Sequence, residues 1–504
     1  MIKEINSMSK QVPQKKSVNT TMIHSAIGVA IMILFRFLPI SLPEVTPVGM
    51  EIIGIFIGTL YLWTTVDPLW SSLMSVAMIG LSSYKPMAAL LVEFMGNVTV
   101  IQMLFLMLLA GALVTNKITM YIGRFFLTRK ITNGRPWMFT MMICIGCFLM
   151  AAFVSPFAPI FLFWPVLYDI FEEVGFQKGE KYPKIALILV VIATLIGFPV
   201  APYMNNGLAL IGNFKAISEA ATGTAIIIND GAYLFTTLFM GILLIIAVIL
   251  LSKFVFRPDV SKLKSLNVEM LKKNPLPPLN AQQKVVSWGF IILIIAMLLP
   301  SVLPKTIPGM AFLSENTPGL GVLVAAVLAA IQIDGKPALN ITGVFAKDFS
   351  WSTFFLCSAA ILIGSVMTNE STGITAFLNL TLSPLFNGMS PMVFTVVILI
   401  VAVLLTNLCN SLVIGMILQP VILTYCMATG ANAVPIVMIM IFFVLLSAAI
   451  TPAASPFAAI LHGNKEWVPS GDVYKYTLTY VGLELLLVLI IGIPVTNFLA
   501  AVIK

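Results

Sequence analysis

Charge is what this sequence has least of. Only 10% of its 504 residues are Asp, Glu, Lys or Arg, against roughly 25% in a soluble globular chain. With 59% of the residues hydrophobic, too little polar surface is left to cover a water-soluble fold, and that class is excluded. Histidine is scarcer still: His24 and His462 stand alone, both near helix ends, where an interfacial position is expected before a catalytic one. The five cysteines (Cys144, Cys147, Cys357, Cys409, Cys426) all fall inside apolar runs and read as small buried hydrophobes. Cys144 and Cys147 have C-x-x-C spacing but lack the second pair and the neighbouring His of a zinc site, and no disulfide framework is indicated. No phosphate-binding Gly loop, no H-E-x-x-H and no G-x-S-x-G occurs, so neither ATP-driven work nor metalloproteolysis is expected and the chain does not read as an enzyme.

What is present is length of apolar sequence. Runs of about 17 to 25 residues, each able to cross a hydrocarbon layer of roughly 30 Å, recur from Met22 almost to the C-terminus. Candidate spans cover approximately 22–40, 48–64, 67–84, 97–116, 184–213, 231–256, 286–303, 317–333, 352–368, 434–462 and 476–500. Segments 137–171 and 391–428 are too long for one crossing and carry Pro and Asn-Ser breakers near their centres, as re-entrant helical hairpins would. The fold class expected is therefore an all-α polytopic membrane protein of two inverted repeats, with about eleven transmembrane helices and two re-entrant hairpins.

Residues 1–21 are polar and basic, with no small-residue cleavage site after the first apolar stretch, and are expected to remain as a cytoplasmic tail. With the N-terminus inside, the segments 1–21, 117–136, 172–184, 253–285, 334–348 and 463–475 become cytoplasmic and hold 23 of the 28 Lys and Arg residues. That asymmetry follows the positive-inside rule, so the net charge of +8 reads as topology and not as a nucleic-acid surface. The expected location is the cell inner membrane. The boundaries are a tail at 1–21, a first helix and first repeat at 22–256, a cytoplasmic linker at 257–285 rich in Lys and Pro, and a second repeat at 286–504.

The repeat is visible in three landmarks. Thr115-Asn116 answers Thr368-Asn369 at an offset of 253 residues, Pro165 answers Pro420 at 255, and Pro199 answers Pro452 at 253. Each half holds an odd number of crossings, so the second copy lies upside down, the plan of secondary transporters. Interrupted helices at matching places in such halves mark the solute site, because irregular backbone survives at membrane depth only where it lines a cavity. Here the interruptions are the hairpin tips at Ser155-Pro156 and Asn410-Ser411, and the broken helices at 199–206 (within 184–213) and 451–456 (within 434–462).

Opened helices leave N–H groups with partial positive charge at one end and C=O groups with partial negative charge at the other. The breaks carry hydroxyl and amide side chains and no acid or base. The expected substrate-binding set is Ser155, Pro156, Asn205, Asn206, Asn410, Ser411, Thr451 and Ser455, with helix N-termini receiving a small anion. Kinking of buried helices is the simpler role for any one of these residues; the pairing across the repeat is what favours a site. Glu484 alone among the acids lies well inside a span, where facing a polar interior, snorkelling and pairing are all open to it.

These residues resemble the divalent-anion:sodium symporter family of the ion transporter superfamily over most of the chain, from about residue 50 onward. In that family each hairpin tip carries Ser-Asn-Thr, an apolar stretch and Pro; here the tips read Ser155-Pro156-Phe157 and Asn410-Ser411-Leu412, ten residues before Pro165 and Pro420. The segment Thr451 to Ile460, TPAASPFAAI, looks like the family's Thr-Pro-rich broken helix. The resemblance implies a homodimer, elevator-type alternating access, and sodium-coupled transport of dicarboxylates, citrate or sulfate. It also implies Na+ near Ser155, Pro199, Asn410 and Thr451, with no other cofactor. A cation/proton antiporter, an anion exchanger without sodium coupling, and a channel or non-transporting scaffold remain open on the same sequence.

Overall fold

A backbone that crosses hydrocarbon must satisfy its own N–H and C=O groups, and a helix does so within one segment. In the computed structural model, which describes residues 15–265 and 276–503 except 305, 387 and 409, ten helices are long and apolar enough to cross a membrane. The strands among the described residues are one antiparallel pair, β1 (Gln332–Ile333) and β2 (Lys336–Pro337). The chain is thus an all-helical, multi-pass membrane protein.

It opens with α1 (Lys15–Leu34), α2 (Pro47–Thr65), α3 (Pro68–Gly80) and α4 (Met87–Met95). A first course follows: α5 (Val98–Thr115), α6 (Ile118–Leu127), α7 (Pro136–Phe153), α8 (Ala158–Glu173), α9 (Lys181–Gly197), α10 (Asn205–Thr222) and α11 (Asp230–Leu251). Then come α12 (Ala281–Val302), α13 (Met310–Ala330) and the short α14 (Ile341–Lys347). A second course repeats the order: α15 (Trp351–Thr368), α16 (Ile374–Phe386), α17 (Pro391–Thr406), α18 (Ser411–Thr429), α19 (Ala433–Leu446), α20 (Pro456–Gly463), α21 (Ser470–Leu487) and α22 (Ile493–Val502). Both courses finish in a helix carrying a π-helical turn, Ser252–Phe256 in one and Val488–Gly492 in the other.

One expected crossing is shorter than its apolar run. Segment 67–84 yields α3, of 13 residues, which at 1.5 Å per residue is about 20 Å, less than the hydrocarbon thickness. Asp67 starts it by accepting from the backbone N–H groups of Leu69 and Trp70, with Pro68 at the first helical position, where its missing N–H costs nothing.

Two helices are apolar on every side and buried on every side. In α9 every residue from Ile185 to Gly197 is buried, and in α19 every residue except Val434, the pattern of a helix enclosed by other helices. They touch each other, and each packs against the hairpin of its own course, α7–α8 around α9 and α17–α18 around α19. By contrast α11 leaves Phe239, Ile242, Ile246 and Leu250 exposed as one stripe, a face suited to lipid tails. The breaks that end α9 and α19 therefore lie in the interior.

Ion pairs join the polar ends. Lys184 pairs with Asp472 at 2.7 Å and Lys178 with Glu466, tying the first turn of α9 and the loop before it to the first turn of α21 and the loop before that. From the linker, Lys262 reaches Glu180 at 2.7 Å and the carbonyl of Gly175 at 2.9 Å. The Lys262 ammonium, aided by the Gln177 N–H, holds the Glu180 carboxyl below the ordinary carboxylate range.

Candidate functional site

The hairpin tips are built first by local chemistry. Helix α7 stops at Phe153, the N–H of Ser155 donates to the carbonyl of Met150 at 2.9 Å, and Pro156 prevents continuation until α8 begins. In the second tip α17 stops at Thr406, and Asn410 caps α18 by accepting from the N–H of Leu412 at 2.9 Å.

Each broken helix is then pinned by side chains from outside it. The first has its freed carbonyls taken by α11: Tyr233 donates its hydroxyl to Pro199 and Thr237 to Val200, both at 2.8 Å. Gly197 allows the approach that places this break, since a Cβ there would lie 2.3 Å from the carbonyl oxygen of Phe148 in α7. The second break is held by the second tip. Asn407 donates to the carbonyl of Ser447 at 3.0 Å and accepts from the N–H of Ile450 at 2.9 Å, while Thr451 donates to the carbonyl of Asn407 at 2.6 Å. The N–H of Ser411 reaches the carbonyl of Ala454 at 3.2 Å. Ser455 donates to the carbonyl of Ala448 and caps α20 through the N–H of Ala458.

One cavity of about 350 Å³ collects these parts. Of the expected site residues, Ser155, Pro156, Asn206, Asn410, Ser411 and Ser455 line it. All four breaks are represented, two from each half of the chain. Thr451 and Pro199 are not among its lining residues: the hydroxyl of one and the carbonyl of the other are engaged in fastening the breaks. Asn205 is the first residue of α10, one position before the lining Asn206. The N-termini of α18 and α20 open on the cavity through their capping residues, so it receives partial positive charge from two helix ends.

Three features of this site escaped sequence reasoning. Phe457 packs against Phe157 with ring centroids 4.9 Å apart and against Phe198 at 5.3 Å, so rings from three different breaks form one wall. Asn407 carries the second break, although the apolar run around it drew attention only to Asn410-Ser411; the polar pair Thr406-Asn407 was the available signal. The remaining side of the cavity is formed by α5, through Ala110, Gly111 and Val114, and by the start of α15, through Ser352 and Thr353. Asp348 lies there too, the one charged residue among the described lining residues. In the sequence it reads as the end of the loop 334–348.

Other ionisable and sulfur groups lie elsewhere. Glu484 neither snorkels nor pairs: its side chain is buried, and neither oxygen has a hydrogen-bond partner among the described residues. His462 is buried rather than interfacial and its Nε2 lies 3.0 Å from the carbonyl of Ile450 in the second break. Cys144, Cys147, Cys357 and Cys426 are buried free thiols, and Cys409 lies outside the described residues.

No family model matches the chain. It is 27% identical over 222 residues to an uncharacterised transporter of Synechocystis, a stretch covering 44% of this chain and 42% of that relative. Two solved structures share its fold. The Alcanivorax borkumensis YdaH transporter superposes with a TM-score of 0.55 at 15% identity, over 90% of this chain and 98% of that one. The Neisseria gonorrhoeae protein MtrF, described with a class of antimetabolite efflux pumps, does so with a TM-score of 0.54 at 12% identity, over 100% and 98%. The polytopic architecture that carries the four breaks to one cavity is thus the architecture of known transporters.

Proposed function

We propose that this protein is a secondary active transporter of small organic anions such as di- or tricarboxylates. The observation that carries the reading is the meeting of four helix interruptions, matched between the two halves, at one small cavity. The hydroxyls of Ser155 and Ser411 and the side-chain amide of Asn410 offer donors for carboxylate oxygens beside the two helix N-termini. Matched interruptions are where alternating-access carriers hold their solutes.

The resemblance to divalent-anion:sodium symporters extends the proposal to sodium coupling, a homodimer and an elevator-type movement of the hairpins with the broken helices. The expected cation positions near Ser155, Pro199, Asn410 and Thr451 offer the oxygen donors that a hard cation takes. Beside them the hydroxyl of Ser447 is buried with no hydrogen-bond partner among the described residues, a spare oxygen in the second break. The Lys and Arg asymmetry supports a cytoplasmic N-terminus.

Uptake of labelled succinate, citrate and sulfate into proteoliposomes, with and without an inward sodium gradient, tests the reading. Saturable uptake of succinate or citrate is the expected result, and stimulation by sodium supports the coupling. Failure of all three to move or to compete would overturn the substrate class. Sodium-driven proton release without anion movement would replace it with cation/proton antiport.

A further inference from the structure

Two opposite electrical features line the cavity. The capped N-termini of α18 and α20 favour negative charge. Asp348, between α14 and α15, supplies a carboxylate to the same lining. Its Oδ2 accepts a 2.5 Å hydrogen bond from the hydroxyl of Thr115, in the last turn of α5, and among the described residues it enters no ion pair. The backbone at Asp348 is closely packed as well. The backbone carbonyl of Asp348 approaches Gly111 so closely that a Cβ there would lie 3.1 Å from it, and Gly111 itself lines the cavity.

A solute with negative charge throughout would meet repulsion from the Asp348 carboxylate. A solute carrying an ammonium group as well as a carboxylate meets attraction from both the Asp348 carboxylate and the helix N-termini. Resting on the organic-anion reading above, we infer that the cavity selects zwitterionic solutes, amino acids and amino dicarboxylates, with Asp348 receiving the ammonium group and Thr115 orienting the Asp348 carboxylate.

The probes are two matched pairs that differ only by the amine: L-aspartate against succinate, and L-glutamate against glutarate. Binding is measured on the purified full-length protein in low salt by thermal shift and by competition. The aminated member of each pair is expected to bind about tenfold more tightly. Asp348→Asn should bring that ratio close to one by weakening the aminated members, and Thr115→Val should lower it by a smaller factor. Asp348→Glu, which keeps the charge, should retain a preference and guards against a general folding defect. Equal binding within the pairs in the unaltered protein, or an unchanged ratio in Asp348→Asn, would overturn the inference while leaving the organic-anion reading standing. If no member of either pair binds but citrate does, the inference falls alone; if no organic anion binds at all, the reading beneath it falls as well.

Discussion

Asn407 holds backbone groups on both sides of a gap: its amide donates to Val403 in its own helix and to Ser447 across it, and its oxygen takes the N–H of Ile450. Replacing it with Ala removes the partners of buried groups that water cannot reach, so Asn407→Ala should cost about 2–3 kcal/mol, read as a lowered melting temperature, and should depress transport beyond what the stability loss explains. Asn410 has a different task, capping α18 at the cavity wall. Asn410→Ala should weaken solute affinity more than Cys409→Ala does, measured as a rise in the half-saturating concentration for uptake; equal effects would remove Asn410 from the site. Glu484 offers the reverse test. A buried carboxyl with no partner is a net cost to the fold, so Glu484→Met should raise stability by about 1–3 kcal/mol in a thermal melt, with uptake unchanged.

At the scale of elements, the contact that matters is α9 against α7. The missing side chain of Gly197 lets the end of the broken helix rest on the Phe148 carbonyl, and Gly197→Ala has no flexible side chain to push aside. Forced separation of this kind typically costs about 1–3 kcal/mol; uptake by the variant should fall severalfold, whereas Gly463→Ala, with open space around its Cβ, should leave uptake unchanged.

The elements themselves were legible in the sequence because lipid imposes a length and an apolar content that few other constraints mimic. The breaks were legible because Pro and Asn interrupt otherwise unbroken apolar runs. What was hidden follows from distance along the chain. Thr115 and Asp348 are 233 residues apart, and nothing in either local pattern says that the end of α5 and the start of α15 share a wall. Phe157, Phe198 and Phe457 were equally invisible, since an aromatic residue in a hydrophobic stretch carries no mark of the partner it will stack on. Asp348 went unmarked for a related reason: a charge beside a predicted span reads as the end of a loop, and its place in the cavity lining depends on the packing of α14 against α5.

For the whole molecule, the polar ends respond to pH. Glu180 ionises below its unfolded range because Lys262 attracts its charged form. The stabilisation is therefore fully present above the unfolded carboxylate value and fades as pH falls through the lower folded value. Glu180→Gln should lower the melting temperature slightly near neutral pH, and the difference from the unaltered protein should vanish in acid; high salt should diminish it as well.

The two helices that end in the breaks, α9 and α19, have almost no surface of their own beyond other helices. Acyl-chain length and headgroup composition can then reach the site only through the outer helices, whose exposed stripes meet the lipid. Solute affinity measured in detergent, in thin bilayers and in thick ones should agree, while turnover, which requires the outer layer to yield, should vary with the host membrane.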